Sequence, residues 1–369
     1  LPQLGVLNMA ENTTRLLHNL LPLRGARVRD PRIWSQHITD AMVMFGDQTD
    51  ILIGQHHWPT WGRGEVRTYL EAQRDLYKFI HDQTVRLMNI GLNPGEIAEA
   101  LELPPGLDQV WSVRGYYGAI RHNAKAVYQR YLGWYDANPA NLNPPTRRET
   151  GRKTVEYMGG ADAILSRAQA DFAAGEYRWE AQVLSHLVFA EPENRDGRAL
   201  LADTFEQLGY QAESATWRNA YLYAAQELRQ GVAKLPPRPM LSPDMLSALT
   251  ADALFDFMAV RLDAGKAAGL AWKINWQLTD SDERAVMNLQ NCTMSHVFDT
   301  FAEDAVASVR TNLATIVALN VGKTTVADAT ASGDLDAEDD DAIIEQLFAM
   351  LDNFSMMFDV VAPSLKEEE

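Results

Sequence analysis

Two histidines stand side by side directly after an apolar run in the stretch DILIGQHHWPTWG, residues 50–62. The apolar residues 51–53 predict a buried strand. His56 and His57 follow that strand on a short stretch rich in tryptophan, proline and glycine, which indicates a tight, aromatic-walled loop. Imidazole binds zinc and other first-row metals readily, so the loop is a candidate metal-binding element.

A carboxylate occupies a comparable place earlier in the chain. Glu11 follows the strand-like run GVLNM, residues 5–9. Ligands of α/β folds gather at the ends of strands, so Glu11 and one of the histidines could meet in a single cleft as zinc ligands. A second interpretation stays open from the residues alone, because Glu11 could simply favour a helix dipole and the histidine could be a hydrogen-bonded turn residue.

The composition and net charge limit which class of protein this chain can be and which kind of metal site it can form. The chain has 369 residues, a net charge of −17 and a single cysteine, Cys292. The acidic balance argues against a nucleic-acid binder, which needs a basic surface. One cysteine allows neither an internal disulfide nor a cysteine-based zinc site. Any metal must therefore be held by histidines and carboxylates. Separately, no apolar run reaches the length of a membrane-spanning helix.

Residues 1–61 have the alternating texture of part of an α/β domain. GVLNM and DILIG predict strands, and the leucine spacing in NTTRLLHNLLPLRG, residues 12–25, predicts a helix. A second helix is predicted over DPRIWSQHITDAMVMFG, because Asp30 and Pro31 form a favourable N-cap and first-turn pair.

Residues 62–233 predict an almost wholly helical region with an internal repeat. Ala168, Gly175 and Ala181 recur 34 residues later as Ala202, Gly209 and Ala215. A 34-residue period with small residues at helix contacts and glycine in the turn resembles tetratricopeptide hairpins. A plain helical bundle is the alternative interpretation.

A proline-rich linker, KLPPRPMLSPD at residues 234–244, separates this region from a third one. Residues 245–369 alternate between predicted strands and amphipathic helices, which indicates an α+β module. The chain is therefore predicted to be multidomain, with α/β, all-α and α+β parts in that order.

Several longer motifs resemble one enzyme family. LNMAEN, DILIGQHHWPTWG, VRGYYGAIRHNAKAVYQRYLGWYD and YMGGADAIL resemble, in this order, the metallo-β-lactamase-fold alkyl sulfatases, and the resemblance runs through nearly the whole chain. It implies the C-terminal part of a metallo-β-lactamase αββα domain at 1–61, a helical dimerisation domain at 62–233 and a sterol-carrier-protein-2-like domain at 245–369 that binds alkyl chains. It also implies a homodimeric, periplasmic or secreted enzyme that hydrolyses alkyl sulfates such as dodecyl sulfate to alcohol and inorganic sulfate.

The resemblance also implies roles for individual residues around two zinc ions. Glu11 and His56 match family metal ligands, and His57 is the less favoured candidate, hydrogen-bonded beside the site. Asn19 and Arg24 fall where the family contacts the sulfate group, and a guanidinium suits two sulfate oxygens. For Arg24 a surface ion pair is the alternative. Tyr117 is expected either to line the same cleft or to pack in the core.

The family's main zinc motif, H-x-H-x-D-H, is missing. The histidines are at positions 18, 37, 56, 57, 81, 122, 186 and 296, so no H-x-H pair occurs. We expect the missing ligands to precede Leu1, and two ligands are too few for a catalytic zinc site. The chain alone is therefore expected to be inactive, and the alternative function is a non-catalytic lipid-binding and dimerisation protein.

Soft apolar residues of the third region are candidates for lining an alkyl-chain tunnel, although for most of them simple core packing is the favoured interpretation. They are Phe255, Phe257, Met258, Trp272, Trp276, Met287, Phe348, Met350 and Met356.

Overall fold

The computed structural model describes residues 1–233, 243–338, 340–355 and 357–363. The chain forms two compact units. Unit 1 comprises Leu1–Val232 and Asp359–Glu369, and unit 2 comprises Ala233–Phe358. The division predicted between residues 61 and 62 falls inside unit 1, and the residues from 359 onward belong to unit 1 as well. Of the predicted linker, residues 234–242 lie outside the described residues.

Unit 1 begins with a small mixed sheet of β1 (Val6–Asn8), β2 (Ile51–Ile53) and β3 (Thr60–Trp61), in that order. β1 is parallel to β2, and β2 is antiparallel to β3. Helix α1 (Pro31–Phe45) lies between β1 and β2 in the chain and begins as predicted. The Asp30 side chain accepts hydrogen bonds from two backbone amides of its first turn, and Pro31 occupies the first helical position.

The helix predicted over NTTRLLHNLLPLRG is wrong, because residues 12–25 contain no helix. Leu16, Leu17 and Leu20 are buried as their spacing suggests, but on an irregular segment. Its backbone amides have tertiary partners: Leu17 N donates to the Arg114 carbonyl at 2.8 Å, and Leu20 N donates to the Asn123 side chain at 2.9 Å. Tertiary hydrogen bonds therefore replace helical ones and override the local pattern.

The rest of unit 1 is helical, as predicted. The helices are α2 (Arg63–Asn89), α3 (Pro94–Ala100), α4 (Pro105–Asp108), α5 (Ile120–Leu132), α6 (Arg147–Tyr157), α7 (Ala161–Ala174), α8 (Tyr177–Ala190), α9 (Arg195–Gln211) and α10 (Ala215–Gln230).

The 34-residue repeat corresponds to two helical hairpins, α7–α8 and α9–α10. Ala168 and Ala202 occupy equivalent buried positions in their hairpins. Gly175 ends α7 in a left-handed conformation with φ of 80°, as a turn glycine should. Gly209 was predicted in the same role, and this is wrong. It lies inside α9, where a Cβ would come within 2.9 Å of the Leu222 side chain.

Unit 2 is an α+β module. Its helices are α11 (Pro243–Ser247), α12 (Ala251–Arg261), α13 (Leu313–Asn320), α14 (Val326–Ser332) and α15 (Asp341–Ala349). Its strands are β4 (Trp272–Leu278), β5 (Arg284–Gln290), β6 (Thr293–Phe298), β7 (Ala307–Thr311) and β8 (Leu335–Asp336). They form one sheet of order β6–β5–β4–β7–β8, in which β4 and β7 are parallel and the other neighbours antiparallel.

Most of the candidate tunnel residues fill the core of unit 2. Phe255, Met258, Trp276, Met287 and Met350 are buried in one apolar cluster. Phe257, Trp272 and Phe348 are partly buried against it, and Met356 lies outside the described residues. Ligand pockets typically measure about 300–1,000 Å³. Unit 2 has a groove of about 610 Å³, but seven of its nine lining residues are polar.

No helix within the described parts of the chain combines the length and the apolar character that crossing a bilayer requires.

Candidate functional site at the ends of β1 and β2

The parallel pairing of β1 with β2 brings two loops together. Because the strands run in the same direction, both loops leave from the same edge of the sheet. Met9 N donates to the Ile53 carbonyl at 2.9 Å, and Gln55 N donates to the Ala10 carbonyl at 3.1 Å. At Gly54 a Cβ would lie only 3.1 Å from the Ala10 carbonyl oxygen. Glycine at this position therefore allows the close approach of the two loops.

This approach places Glu11 directly against His56. Glu11 Oε1 lies 3.0 Å from His56 Nε2, and the two side chains are 56% and 52% exposed. The hydrogen bond to His56 lowers the pKa of Glu11, so the carboxylate is ionised, as metal binding requires. His57 has a left-handed backbone with φ of 68°, and its ring meets the edge of Trp58. The turn therefore separates the two neighbouring imidazoles.

Arg15 contacts both the histidine loop and the first turns of α2. Its guanidinium lies 5.6 Å from the centre of the Trp58 ring and 5.4 Å from that of Tyr69, a cation–π arrangement on two sides. Arg15 also donates hydrogen bonds to the Thr60 hydroxyl and, at 3.4 Å, to the Pro59 carbonyl. Burial raises the pKa of Tyr69 to about 12, so the ring stays a neutral phenol.

His18 and Arg29 also influence the charge state of Glu11, although neither was among the predicted site residues. The positive charge of Arg29 lowers the pKa of Glu11, and His18 acts in the same direction only when its ring is protonated. His18 Nδ1 donates to the Asn19 carbonyl at 3.0 Å, and Arg29 Nη1 donates to the same oxygen at 2.9 Å. Burial lowers the pKa of His18, which favours a neutral imidazole. The sequence signal for both is their place in the motif LHNL…LRGA…RD…W, which also resembles the alkyl sulfatases.

Asn19 and Tyr117 are joined through the first turn of α10. Asn19 is only 1% exposed, and its Nδ2 donates to Thr216 Oγ1 at 3.1 Å. Thr216 Oγ1 in turn donates to the Tyr117 carbonyl at 2.9 Å. The Tyr117 ring packs 4.9 Å from the ring of His18. Asn19 Oδ1 is buried without a hydrogen-bond partner among the described residues.

Arg24 stands apart from these groups. Its side chain is exposed, and we find no hydrogen bond or ion pair from it to any described residue. The fold thus brings Glu11 to His56 and links Asn19 to Tyr117, but leaves the guanidinium of Arg24 free.

Glu11 and His56 offer donor atoms that suit zinc, one carboxylate oxygen and one imidazole nitrogen. The described ranges contain no group of three or more His, Cys, Asp or Glu that could hold a metal ion. The pair therefore fits part of a zinc site and falls short of the three or four protein ligands that such sites use.

Two family models match consecutive parts of the chain. The model described as alkyl sulfatase dimerisation matches residues 93–231, and the model described as alkyl sulfatase C-terminal matches residues 239–363. The chain belongs to the alkyl sulfatase family.

Similar proteins of known sequence or structure agree with this assignment. The chain is 50% identical to an alkyl/aryl-sulfatase of Saccharomyces cerevisiae over 98% of its own length and 56% of that protein. It is 44% identical to an (R)-specific secondary-alkylsulfatase of a Pseudomonas species, over 98% and 55%. The solved structure of the stereoselective inverting sec-alkylsulfatase Pisa1 from Pseudomonas superposes with a TM-score of 0.92 at 43% identity, covering 98% of this chain and 57% of that one. The chain spans a little over half the length of the relatives that it matches.

Proposed function

We propose that this chain contributes to the zinc-dependent hydrolysis of alkyl sulfate esters, such as dodecyl sulfate, to an alcohol and inorganic sulfate. The activity is proposed for a protein of the relatives' full length. The observation that carries the proposal is the Glu11–His56 pair, with 3.0 Å between Oε1 and Nε2 at the adjoining ends of two parallel strands. Relatives at 43–50% identity are named as alkyl or alkyl/aryl sulfatases.

Glu11 and His56 would hold zinc from one side of the cleft. Zinc, when bound, supplies hydroxide near neutral pH by lowering the pKa of its water. Backbone hydrogen bonds join the two loops, and Arg15 packs against the histidine loop. These contacts would position both ligands in the absence of metal. Two ligands do not complete a catalytic zinc site, so we expect this chain by itself to be inactive. The sequence contains no H-x-H-x-D-H motif to supply the others.

Arg24 is the proposed contact to the sulfate group. Its guanidinium has the planar donor fork that matches two anionic oxygens, and it is exposed. Asn19 is buried and bound to Thr216, which favours a supporting role for it over a direct contact unless the segment moves. Tyr117, packed on His18, would shape the wall of the same cleft.

The proposal assigns three modules to the chain. The sheet β1–β3 with α1 would be the C-terminal part of a metallo-β-lactamase-like domain, and the following helices a dimerisation domain that makes the protein a homodimer. Unit 2 would be the sterol-carrier-protein-2-like module. Its filled core means that accepting an alkyl chain there would require repacking. A periplasmic or secreted location belongs to the same proposal and rests on the family resemblance alone.

A non-catalytic lipid-binding and dimerisation protein is the second candidate. It is favoured by one observation, that no group of three potential metal ligands occurs in the described ranges. The two candidates differ in zinc binding. The catalytic proposal expects Glu11 and His56 to bind zinc. A non-catalytic lipid-binding protein does not need zinc binding by these two residues.

Zinc content by plasma mass spectrometry, measured with the intact mass of the purified protein, tests the proposal. About two zinc ions and a mass well above 41.3 kDa would show a complete enzyme, as two-metal sites require. For the chain alone we expect weak zinc uptake, lost in His56→Ala and kept in the control His37→Ala, whose histidine is exposed on α1. Zinc uptake that is the same in both variants would contradict the assignment of His56. Dodecyl sulfate hydrolysis by the chain alone would contradict its expected inactivity.

A further inference from the structure

The chain returns to unit 1 after passing through unit 2. The described residues 359–363, here called the strap, belong to unit 1 although unit 2 separates them from α10 in the sequence. Ala362 is only 5% exposed, and Val361 is partly buried. Both join the apolar cluster that contains Ala225 and Leu228 of α10. The strap is therefore packed into the helical unit through its own side chains.

A single carboxylate binds the backbone of the strap. Glu227 Oε1, on α10, accepts hydrogen bonds from Val360 N at 2.7 Å and from Val361 N at 2.9 Å. Glu227 is 8% exposed. Hydrogen bonds to an ionised acceptor are roughly twice as strong as neutral ones, and two successive amides aimed at one oxygen form an anion-binding arrangement. The contact therefore binds two consecutive backbone amides of the strap as well as its small apolar side chains.

We propose that the part of α10 that carries Ala225, Glu227 and Leu228 is a binding site for the strap, and that this contact anchors the second end of unit 2 to unit 1. The first end is joined covalently through the chain that follows α10. Unit 2 is then an insertion between α10 and the strap, tethered at both ends. This inference does not depend on sulfatase activity.

The proposal has a consequence for a cut chain. In the intact protein the linker keeps the strap at a high effective concentration near its binding site on α10, so even a weak contact forms. If the linker is cleaved, the strap must hold unit 2 by itself, and binding becomes an ordinary bimolecular equilibrium. The strength of the contact can then be measured directly.

The experiment uses the full chain with a protease recognition sequence in place of residues 235–241. After cleavage, size-exclusion chromatography over a series of micromolar dilutions reports whether the two fragments elute together. We expect the wild-type fragments to stay associated. Glu227→Ala and Ala362→Asp should each weaken the association at least ten-fold, which is roughly the effect of losing one hydrogen bond to a charged group.

Two further variants test whether the effect depends on the charge of Glu227 and on its contact with the strap. Glu227→Gln keeps an oxygen acceptor without the charge and should fall between wild type and Glu227→Ala. Glu206→Ala removes a carboxylate of α9 that pairs with Arg229, and it should leave the association unchanged.

Either of two results would overturn the proposal. Wild-type fragments that separate as readily as those of Ala362→Asp would show that the strap does not anchor unit 2. Fragments that stay together equally well in Glu227→Ala and Ala362→Asp would show that other contacts hold them. Ala362→Asp alters the strap alone, so its result stands even if Glu227→Ala disturbs α10.

Discussion

Glu180 offers a stability experiment whose sign and size follow from its position. The residue lies on α8 and is fully buried, and the hydroxyl of Thr204 on α9 only partly offsets the cost of burying its carboxylate. Burial raises the pKa of Glu180 from 4.5 to about 7, and the charges of Asp171 on α7 and Asp203 on α9 act in the same direction. The folded protein therefore keeps this carboxyl neutral at pH values where the unfolded chain ionises it.

This difference makes the helical unit less stable as the pH rises. The unfolded chain loses the proton near pH 4.5 and the folded chain near pH 7, so between these values the folded state binds more protons. The stabilising contribution is complete below pH 4.5 and is lost as the pH rises through 7. A shift of about 2.5 pKa units corresponds to about 3 kcal/mol, of which roughly 2–3 kcal/mol falls between pH 5 and pH 8.

Glu180→Gln removes the titration while keeping the size of the side chain. We expect this variant to gain about 2–3 kcal/mol over wild type between pH 5 and pH 8. Glu193→Gln is the matched control, because Glu193 is exposed, and its difference from wild type should not vary with pH. Urea unfolding should be followed by hydrogen exchange and mass spectrometry of peptides from α8 and α9, since global probes would mix the two units.

A pH-independent difference between Glu180→Gln and wild type would refute this reasoning. It would mean that the carboxyl ionises as easily in the folded unit as in the unfolded chain, through water or a rearranged partner. If the stability difference between Glu180→Gln and wild type increased toward low pH, the predicted direction of the pKa shift of Glu180 would be wrong.

The remaining predictions concern tight packing and a buried hydrogen bond. Gly151→Ala in α6 would place a Cβ 2.6 Å from the His186 carbonyl oxygen and should lower the free energy of unfolding by about 1–3 kcal/mol. Gly64→Ala in α2 has open space around it and should raise the free energy of unfolding by about 0.5–1 kcal/mol. Thermal unfolding followed by circular dichroism compares the two variants. Thr216→Val should cost about 1–3 kcal/mol, because the buried Asn19 amide loses its partner. Hydrogen exchange in residues 13–21 should rise in that variant, and unchanged exchange would show that another group holds Asn19.

The structure also shows which features of the site the residues could not reveal. The spacing of Leu16, Leu17 and Leu20 predicted their burial correctly but the wrong backbone, since a helical pattern contains no information about partners such as Arg114 and Asn123. Likewise the influence of His18 and Arg29 on the pKa of Glu11 was evident only in the folded chain. Contacts of this kind join residues far apart in the chain, and local periodicity does not encode them.

By itself the sequence determined several of the local elements and the donor types of the candidate metal ligands. Asp30 and Pro31 start α1, the 34-residue period gives paired helices, and the donor types of Glu11 and His56 suit zinc. Only the tertiary structure decided that Glu11 and His56, 45 residues apart, meet at 3.0 Å. That meeting depends on the parallel register of β1 and β2. The register is set by which apolar faces pack together across the whole unit, and no single stretch of sequence specifies it.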